Sequence, residues 1–309
     1  MKKILAIQSN ALKEINVKTD TTLLLSLEGQ KRGYQIIWYE TKDLSLINSK
    51  VFAEGKKVKF FDKSKKFYKI IKKVKFDLSK AQFILVRQNP PFNMDYINST
   101  FFLDYLKKRR VINNPTSIRN VSEKFYSSNF FRYMPDTIFT KNINHIKAFL
   151  KKNKKIVVKP IHGYAGKNIL FISKKLNLKV LKKYIEKFDH IIVQKYLHKV
   201  QQGDKRVFII NGKVKGAIRR LPKKGSILSN ISQGGVALKT KLNLRELKIS
   251  KTVAKGLKNS GIFFAGIDLV GGYLIGDINV TSPTGLPQFK NLTGKNLAID
   301  FWNELERLK

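Results

Sequence analysis

Apolar residues recur along this chain in two rhythms. KKILAIQ and QIIWYE are short apolar runs, and between them TDTTLLLSLEGQKRGY repeats apolar positions every three or four residues. The first rhythm predicts buried strands, the second an amphipathic helix that Gly33 closes. After a lysine-rich excursion comes a third strand, AQFILVR, then a helix FFLDYLKKRR, a strand-like VINNP and a helix around SEKFYSSNFF. Strands alternating with helices imply an α/β unit with a largely parallel sheet, whose ligands gather at the carboxyl ends of its strands. Past Pro135 and Asp136 the order becomes helix HIKAFLKKN, strand KIVVKP, loop PIHGYAGKN, strand ILFIS, helix LKVLKKYIEKF and strand HIIVQKYL. GDKRVFIING ends in an Asn-Gly hairpin turn, and KVKGAIRR is its return strand. Residues 221–235 are polar, glycine-rich and without period, which predicts a lid over a site. AIDFWNELERL is a closing helix.

The stretch GIFFAGIDLVGGYLIGDINVTSPT, Gly261 to Thr284, reads as two apolar strands joined at Gly271-Gly272. A two-residue turn sets Asp268 opposite Ile275 and diagonal to Asp277. Side chains alternate along a strand, so Asp277 and Asn279 share the face of Asp268. Carboxylates in an apolar sheet need a positive partner, and an oxygen-only donor set suits a hard cation such as Mg²⁺. A hairpin with two solvated aspartates satisfies the same pattern.

Composition narrows the class. The 309 residues are 42% hydrophobic, enough for a sizeable core, and contain no cysteine, which excludes disulfides, thiolate metal sites and a cysteine nucleophile. No apolar run approaches the length of a membrane span, so a cytoplasmic protein is expected, with no membrane partner. Lys+Arg number 62 against 21 Asp+Glu, a net charge of +41. Nucleic-acid binding is one reading. The excess is dispersed lysine, however, and several runs, 56-KKVKFFDKSKKFYKIIKKVK-75 among them, show helical apolar spacing with lysine outward. A solvated surface is the expectation, with no specific nucleic-acid partner.

Candidate chemistry lies at strand ends and loops. Arg87 leaves a buried strand into Gln88-Asn89-Pro90-Pro91, where it either clamps a carboxylate or forms a structural ion pair. The loop from Pro160 to Asn168 lies between strands and lacks the GK[ST]-helix of a Walker loop, yet its amides can cover phosphates, with Lys159 directed at the same anion. The histidines at 145, 162, 190 and 198 have no ligand spacing.

Together, NVKTDTT…GQKRGY, VRQNPPF, NNPTSIRNVSEK, VVKPIHGYAG, VQKYL, GDKRVFIINGK, the lid and GIDLVGGYLIGDINVTSPT resemble the ATP-grasp superfamily, and within it the bacterial-type glutathione synthetases. The resemblance implies a Rossmann-like domain over 1–120, then a two-lobed ATP-grasp fold of α+β lobes, a small lobe over 121–200 and a large one over 201–309. It implies that Lys124 and Lys159 contact nucleotide phosphates, and that Gly163, Tyr164 and Gly166 cover them. Gln194, Lys195, Tyr196 and Leu197 then form the adenine hinge, while Asp268, Asp277 and Asn279 hold Mg²⁺ or Mn²⁺. Arg206, Arg220 and Asn230 fall near the reacting phosphoryl and acyl groups, and Arg87, Ser282 and Thr284 at the substrate. The implied reaction activates the cysteinyl carboxylate of γ-glutamylcysteine as an acylphosphate with ATP, and glycine's amine displaces phosphate. A homo-oligomer is expected by the same analogy. The sequence departs from the family at Gln8-Ser9, where an acidic residue is usual, and at Gln88-Asn89 in place of Lys-Asp. It also departs at His162 and Ala165 in the glycine loop, at Leu228 for a lid arginine, and at Asp277 for Glu in a longer hairpin. A ligase for another acid and amine, or a weakened polyanion-binding homologue, is the alternative.

Overall fold

A computed structural model describes residues 3–62, 65–107, 110–163, 166–173, 176–222 and 235–308. Its first sheet has a parallel centre of β1 (Ile4–Gln8), β2 (Gln35–Tyr39), β6 (Phe83–Val86) and β7 (Val111–Ile112). The helix α1 (Thr21–Lys31) links β1 to β2 and is capped by Asp20, which accepts from the Leu23 amide at 2.8 Å. The lysine-rich excursion is strand, not helix. β3 (Leu44–Ile47), β4 (Lys50–Phe60) and β5 (Tyr68–Asp77) form an antiparallel extension, β4 bonding to β2. Val51, Ala53, Gly55, Val58 and Phe60 are buried with a period near two, and that period prevails over the lysine spacing. The helix around FFLDYLKKRR lies earlier than expected, as α2 (Met94–Asp104) behind an Asn93 cap. A short α3 (Pro115–Asn120) follows, and SEKFYSSNFF becomes a 3-10 segment, Phe125–Tyr133, with a kink at Phe130.

Two antiparallel sheets follow. The smaller has the order β10-β9-β11-β8, from β8 (Thr137–Thr140), β9 (Ile156–Pro160), β10 (Leu170–Ile172) and β11 (Ile191–Lys195). α4 (Ile143–Asn153) and α5 (Leu178–Phe188) cover one of its faces through Ile146, Phe149, Leu181 and Tyr184. The larger has the order β14-β13-β12-β15-β16, from β12 (Asp204–Ile210), β13 (Lys213–Leu221), β14 (Val236–Lys239), β15 (Phe264–Val270) and β16 (Tyr273–Asn279). Val207, Ile209, Ile267, Leu274 and Ile278 pack one face against α6 (Leu244–Asn259), whose Asn243 and Glu246 make a capping box.

The opposite face of the large sheet joins the first sheet in one core. Phe208, Ile210, Ile218 and Phe264 cluster with Leu5, Trp38 and Phe83, and with α7 (Leu286–Thr293) and α8 (Leu297–Glu306). Trp302 of α8 is fully buried, and its indole N–H donates to the Leu25 carbonyl of α1 at 2.8 Å. A Cβ at Gly29 would stand 2.5 Å from that indole, so only glycine allows this approach. Asn113 makes the other junction. Its amide nitrogen donates to the carbonyls of Phe264 and Val280, both at 2.7 Å, and its oxygen accepts from the amides of Phe263 and Phe264. Every polar valence of this buried side chain is used to hold the two sheets together.

Candidate active site

The Gly271-Gly272 turn, at φ of 56° and 82°, closes the β15–β16 hairpin, with Val270 opposite Tyr273 and Leu269 opposite Leu274. The expected pairing of Asp268 with Ile275 is not found. The register slips there, and Ile267 pairs with Ile278. Gly276, at φ 90°, takes up the bulge. The slip is one full strand period, so Asp277 and Asn279 still share the face of Asp268, as the simpler register predicts.

The positive partners of these carboxylates come from the chain itself. Arg206 is the cross-strand neighbour of Asp268, and Asp204 that of Arg220. Arg206 grips Asp268 with two bonds, Nε to Oδ1 at 2.5 Å and Nη2 to Oδ2 at 2.9 Å. Arg220 pairs with Asp204 at 2.7 and 2.8 Å and reaches Asp268 Oδ2 at 2.9 Å. All four residues are buried. Burial opposes ionisation of Asp268, but the two guanidiniums override it and hold the carboxyl below its ordinary range. Arg206 lies over Gly266, where a Cβ would come within 2.8 Å of its Cδ.

Asp277 faces two lysines. Lys124, which precedes the 3-10 segment, and Lys159 of β9 each hold their Nζ 3.5 Å from its carboxylate. Lys159 also donates to the Ile275 carbonyl at 2.6 Å, and Lys124 to that of Gly163. Burial lowers the Lys159 pKa against the pull of Asp277, with Lys124 adding to the fall. The Asp277 carboxyl is held down, since the two lysines outweigh its desolvation.

These groups line a cleft of about 1040 Å³ between the two antiparallel sheets, with Gly163, Gly166 and the Gln194–Leu197 run on its far wall. The Gln194 side chain is buried and donates to Thr137 Oγ1 at 2.8 Å, while the Tyr196 ring packs tilted against Phe171, their centroids 4.7 Å apart. Tyr164, Asn230 and Leu228, with most of the expected lid, lie outside the described residues. The lining carries Lys124, Lys159, Lys167, Lys195, Arg206 and Arg220 against Glu123, Asp204, Asp268 and Asp277, an excess that suits a polyphosphate. Asp268, Asp277 and Asn279 Oδ1 form an all-oxygen donor set, and the Asn279 amide nitrogen donates to the Gly266 carbonyl at 3.2 Å, which leaves the oxygen for a ligand. Hard-cation chemistry fits these donors. Among the described residues no three His, Cys, Asp or Glu side chains gather for a metal, so a third donor beside Asp268 and Asp277 would be the Asn279 amide.

Arg87, Ser282 and Thr284 line a different pocket, with Ser9, Asn10, Asp20 and Thr22. Arg87 donates through Nε to Thr22 Oγ1 at 3.1 Å and through Nη2 to the Pro283 carbonyl at 2.9 Å. Its buried Nη1 has no partner, and no described carboxylate bonds to it, so it forms no structural ion pair. Burial draws the guanidinium down to about 10 against the field of Asp20. Such a group lacks a carboxylate partner. The Thr284 carbonyl lies 3.5 Å from Arg206 Nη1 and links this pocket to the cleft. Gln8 and Gln88 bond each other and Ser99 beneath it, and Asn10 Oδ1 accepts from the Asn89 amide. His162 is exposed beside Gly163, on a smaller pocket.

Sequence reasoning passed over Asp204 and Glu123 as site residues. The Asp-x-Arg spacing of Asp204 and Arg206 was the available signal, since i and i+2 share a strand face.

Family descriptions match almost the whole chain: the N-terminal domain of prokaryotic glutathione synthetase over residues 3–119, and its ATP-grasp domain over 123–294. A glutathione synthetase from Mesorhizobium japonicum is 38% identical over 313 residues, covering 99% of each chain. Another, from Brucella melitensis biotype 1, is 35% identical with 97% of each covered. Among solved structures, D-cycloserine synthetase superposes with a TM-score of 0.69 at 15% identity, covering 99% of this chain and 100% of that one. The ATP-grasp ligase PsnB, solved with a minimal precursor, gives 0.66 at 14% identity and coverage of 100% and 99%. At such identities the likeness establishes the fold, a Rossmann-like domain followed by two ATP-grasp lobes.

Proposed function

The chain belongs to the prokaryotic glutathione synthetase family, and from that premise we propose that it is an ATP-dependent carbon–nitrogen ligase joining γ-glutamylcysteine to glycine. The observation that carries the reading furthest is the polar cleft between two antiparallel sheets, which adjoins a pocket holding a buried arginine with an open valence. A carboxylate is a poor electrophile, so ATP first converts it to an acylphosphate. The amine then attacks the acyl carbon, the carbon–oxygen bond to phosphate breaks, and ADP and phosphate leave.

Each residue group has a part in this reading. Lys124 and Lys159 bind the phosphates, exchanging Asp277 for phosphoryl oxygens. Gly163, Tyr164 and Gly166 donate amides over them, and Gln194, Lys195, Tyr196 and Leu197 hold the adenine. Asp268, Asp277 and Asn279 hold the divalent cation, Mg²⁺ before Mn²⁺ because the donors are hard oxygens; when bound, the ion neutralises charge on the transferring phosphoryl group. Arg206 and Arg220 lie beside the reacting groups and stabilise developing oxyanions, with Asn230 as a further donor. Arg87, Ser282 and Thr284 bind the acid substrate, the free Arg87 Nη1 meeting a carboxylate oxygen. Residues 1–120 act as the substrate domain, 121–200 as the small lobe and 201–309 as the large lobe. We read the protein as cytoplasmic and homo-oligomeric. No helix among the described residues is long and apolar enough to cross a membrane.

The test is ADP release from Mg-ATP with γ-glutamylcysteine and glycine, each omitted in turn. Turnover that needs all three is expected. ATP binding without turnover of this pair would reject the substrate assignment.

A further inference from the structure

Four carboxylates line the main cleft, and three of them are neutralised by the protein's own cations: Asp204 by Arg220, Asp268 by Arg206 and Arg220, Asp277 by Lys124 and Lys159. Glu123 is the exception among the described residues. Its side chain takes one hydrogen bond, from the Thr281 hydroxyl to Oε1 at 2.8 Å, and no ion pair. Its backbone carbonyl accepts from the Ile278 amide, so the residue is fixed against β16 while Oε2 stays uncommitted.

Its position gives that free oxygen a purpose. Glu123 is shared, with Gly163, between the main cleft and a second pocket of about 380 Å³ walled by Pro90, Phe92, Val121 and Ile161. One side of Glu123 therefore faces the phosphate-binding lysines, and the other a small, mainly apolar recess beside the Pro90-Pro91 loop. It is not grouped closely enough with Asp268 and Asp277 for all three to hold one metal ion. A half-buried carboxylate in a cleft rich in cations calls for a cationic ligand.

Resting on the ligase reading above, we propose that Glu123 binds the ammonium of the amine substrate and accepts its proton during attack, with the small recess limiting the size of that amine. The amine enters as a cation, and its ammonium bonds Glu123 Oε2. Loss of a proton to this carboxylate frees the nitrogen lone pair. The new C–N bond forms at the acyl carbon as the C–O bond to phosphate breaks; the phosphate carries away the electron pair and takes the second proton from the nitrogen, leaving as hydrogen phosphate with a neutral amide behind. Thr281 positions the carboxylate. Lys124, the adjacent residue, holds the phosphate side, so electrophile and nucleophile are held from neighbouring positions of one segment.

The experiment is Glu123→Gln in the full chain, assayed with glycine and, separately, with hydroxylamine, a small nucleophile that is neutral at pH 7.5 and needs no ammonium site. The amide keeps the Thr281 bond and removes only the charge. The expected result is a KM for glycine raised by roughly 10- to 100-fold, the worth of one charge-assisted hydrogen bond, with the KM for ATP within about threefold. The ratio of hydroxamate to peptide formed should rise by at least about tenfold. If both nucleophiles weaken equally, Glu123 serves the structure or the acylphosphate step and the inference fails. An unchanged KM for glycine also overturns it. Wild-type protein that forms hydroxamate from the acid yet never uses glycine would instead reject the amine assigned above, and wild-type protein inert with both would reject the ligase reading itself. A Val121→Phe variant checks the recess separately: it should lose glycine turnover while keeping acid-dependent hydroxamate formation above one-tenth of wild type, and retention of both would remove the recess from the proposal.

Discussion

Asp268 answers to two masters, and replacing it with asparagine separates them. The substitution keeps size and removes one charge from a residue only 4% exposed, where two guanidiniums converge through contacts of 2.5 to 2.9 Å. Arg220 retains Asp204, but Arg206 loses the one carboxylate it pairs with among the described residues. Stranding one partner of a buried pair costs about 3–5 kcal/mol. At about 2–4 °C per kcal/mol, Asp268→Asn should melt roughly 6–20 °C below wild type in differential scanning fluorimetry. Its ADP release should fall by at least about 100-fold if Asp268 also serves as the proposed charged metal donor. The double variant Arg206→Met, Asp268→Asn removes the stranded charge, and replacing a buried pair by apolar groups is often neutral, so its melting point should recover to within a few degrees. Activity should not recover with it. Turnover in Asp268→Asn within threefold of wild type would refute the metal role, and a double variant as unstable as the single one would refute the stranded-charge account.

Gly266→Ala tests how closely Arg206 is packed. A methyl 2.8 Å from its Cδ should cost about 1–3 kcal/mol and lower ADP release by at least about tenfold, and wild-type melting and turnover together would show that the side chain yields freely. Glu304 supplies a pH dependence. Burial opposes its ionisation, but hydrogen bonds from Lys213 and Asn211 prevail and bring its pKa from 4.5 to about 2. A depressed acid stabilises above its unfolded pKa and loses that contribution as pH falls through the folded value. The melting gap between wild type and Glu304→Gln should therefore be full at pH 6 and close between pH 4.5 and 2; a gap constant across that range contradicts the account.

Much of this architecture can be read from local pattern, because periods of two and 3.6 are local properties. α4, α5 and the β12–β13 hairpin fall where their apolar spacing puts them. The shared face of Asp268, Asp277 and Asn279 withstands an unforeseen bulge because parity along a strand is conserved by a two-residue slip. What local pattern does not encode is which strand lies beside which. The need for positive charge near Asp268 follows from burial alone, yet its source, Arg206 lying 62 positions earlier, depends on β12 pairing with β15. The lysine-rich ribbon misled for a related reason: long lysine stems sit as readily on an exposed strand as on a helix, so spacing among them carries little information. Arg87 was ambiguous until its surroundings were visible, since the difference between a clamp and an ion pair is one neighbouring carboxylate.

The contact of Trp302 with α1 also orders events during synthesis. The first sheet takes part of its core from α7 and α8, which are made after both ATP-grasp sheets, and Asn113 finds its four partners only once β15 and β16 exist. A nascent chain thus carries Leu5, Trp38 and Phe83 without their final cover until α7 and α8 have been made, and β15 and β16, which bear Asp268, Asp277 and Asn279, precede that cover in the chain. A first sheet that has settled under α7 and α8 therefore marks a chain in which the strands bearing Asp268, Asp277 and Asn279 have already been made.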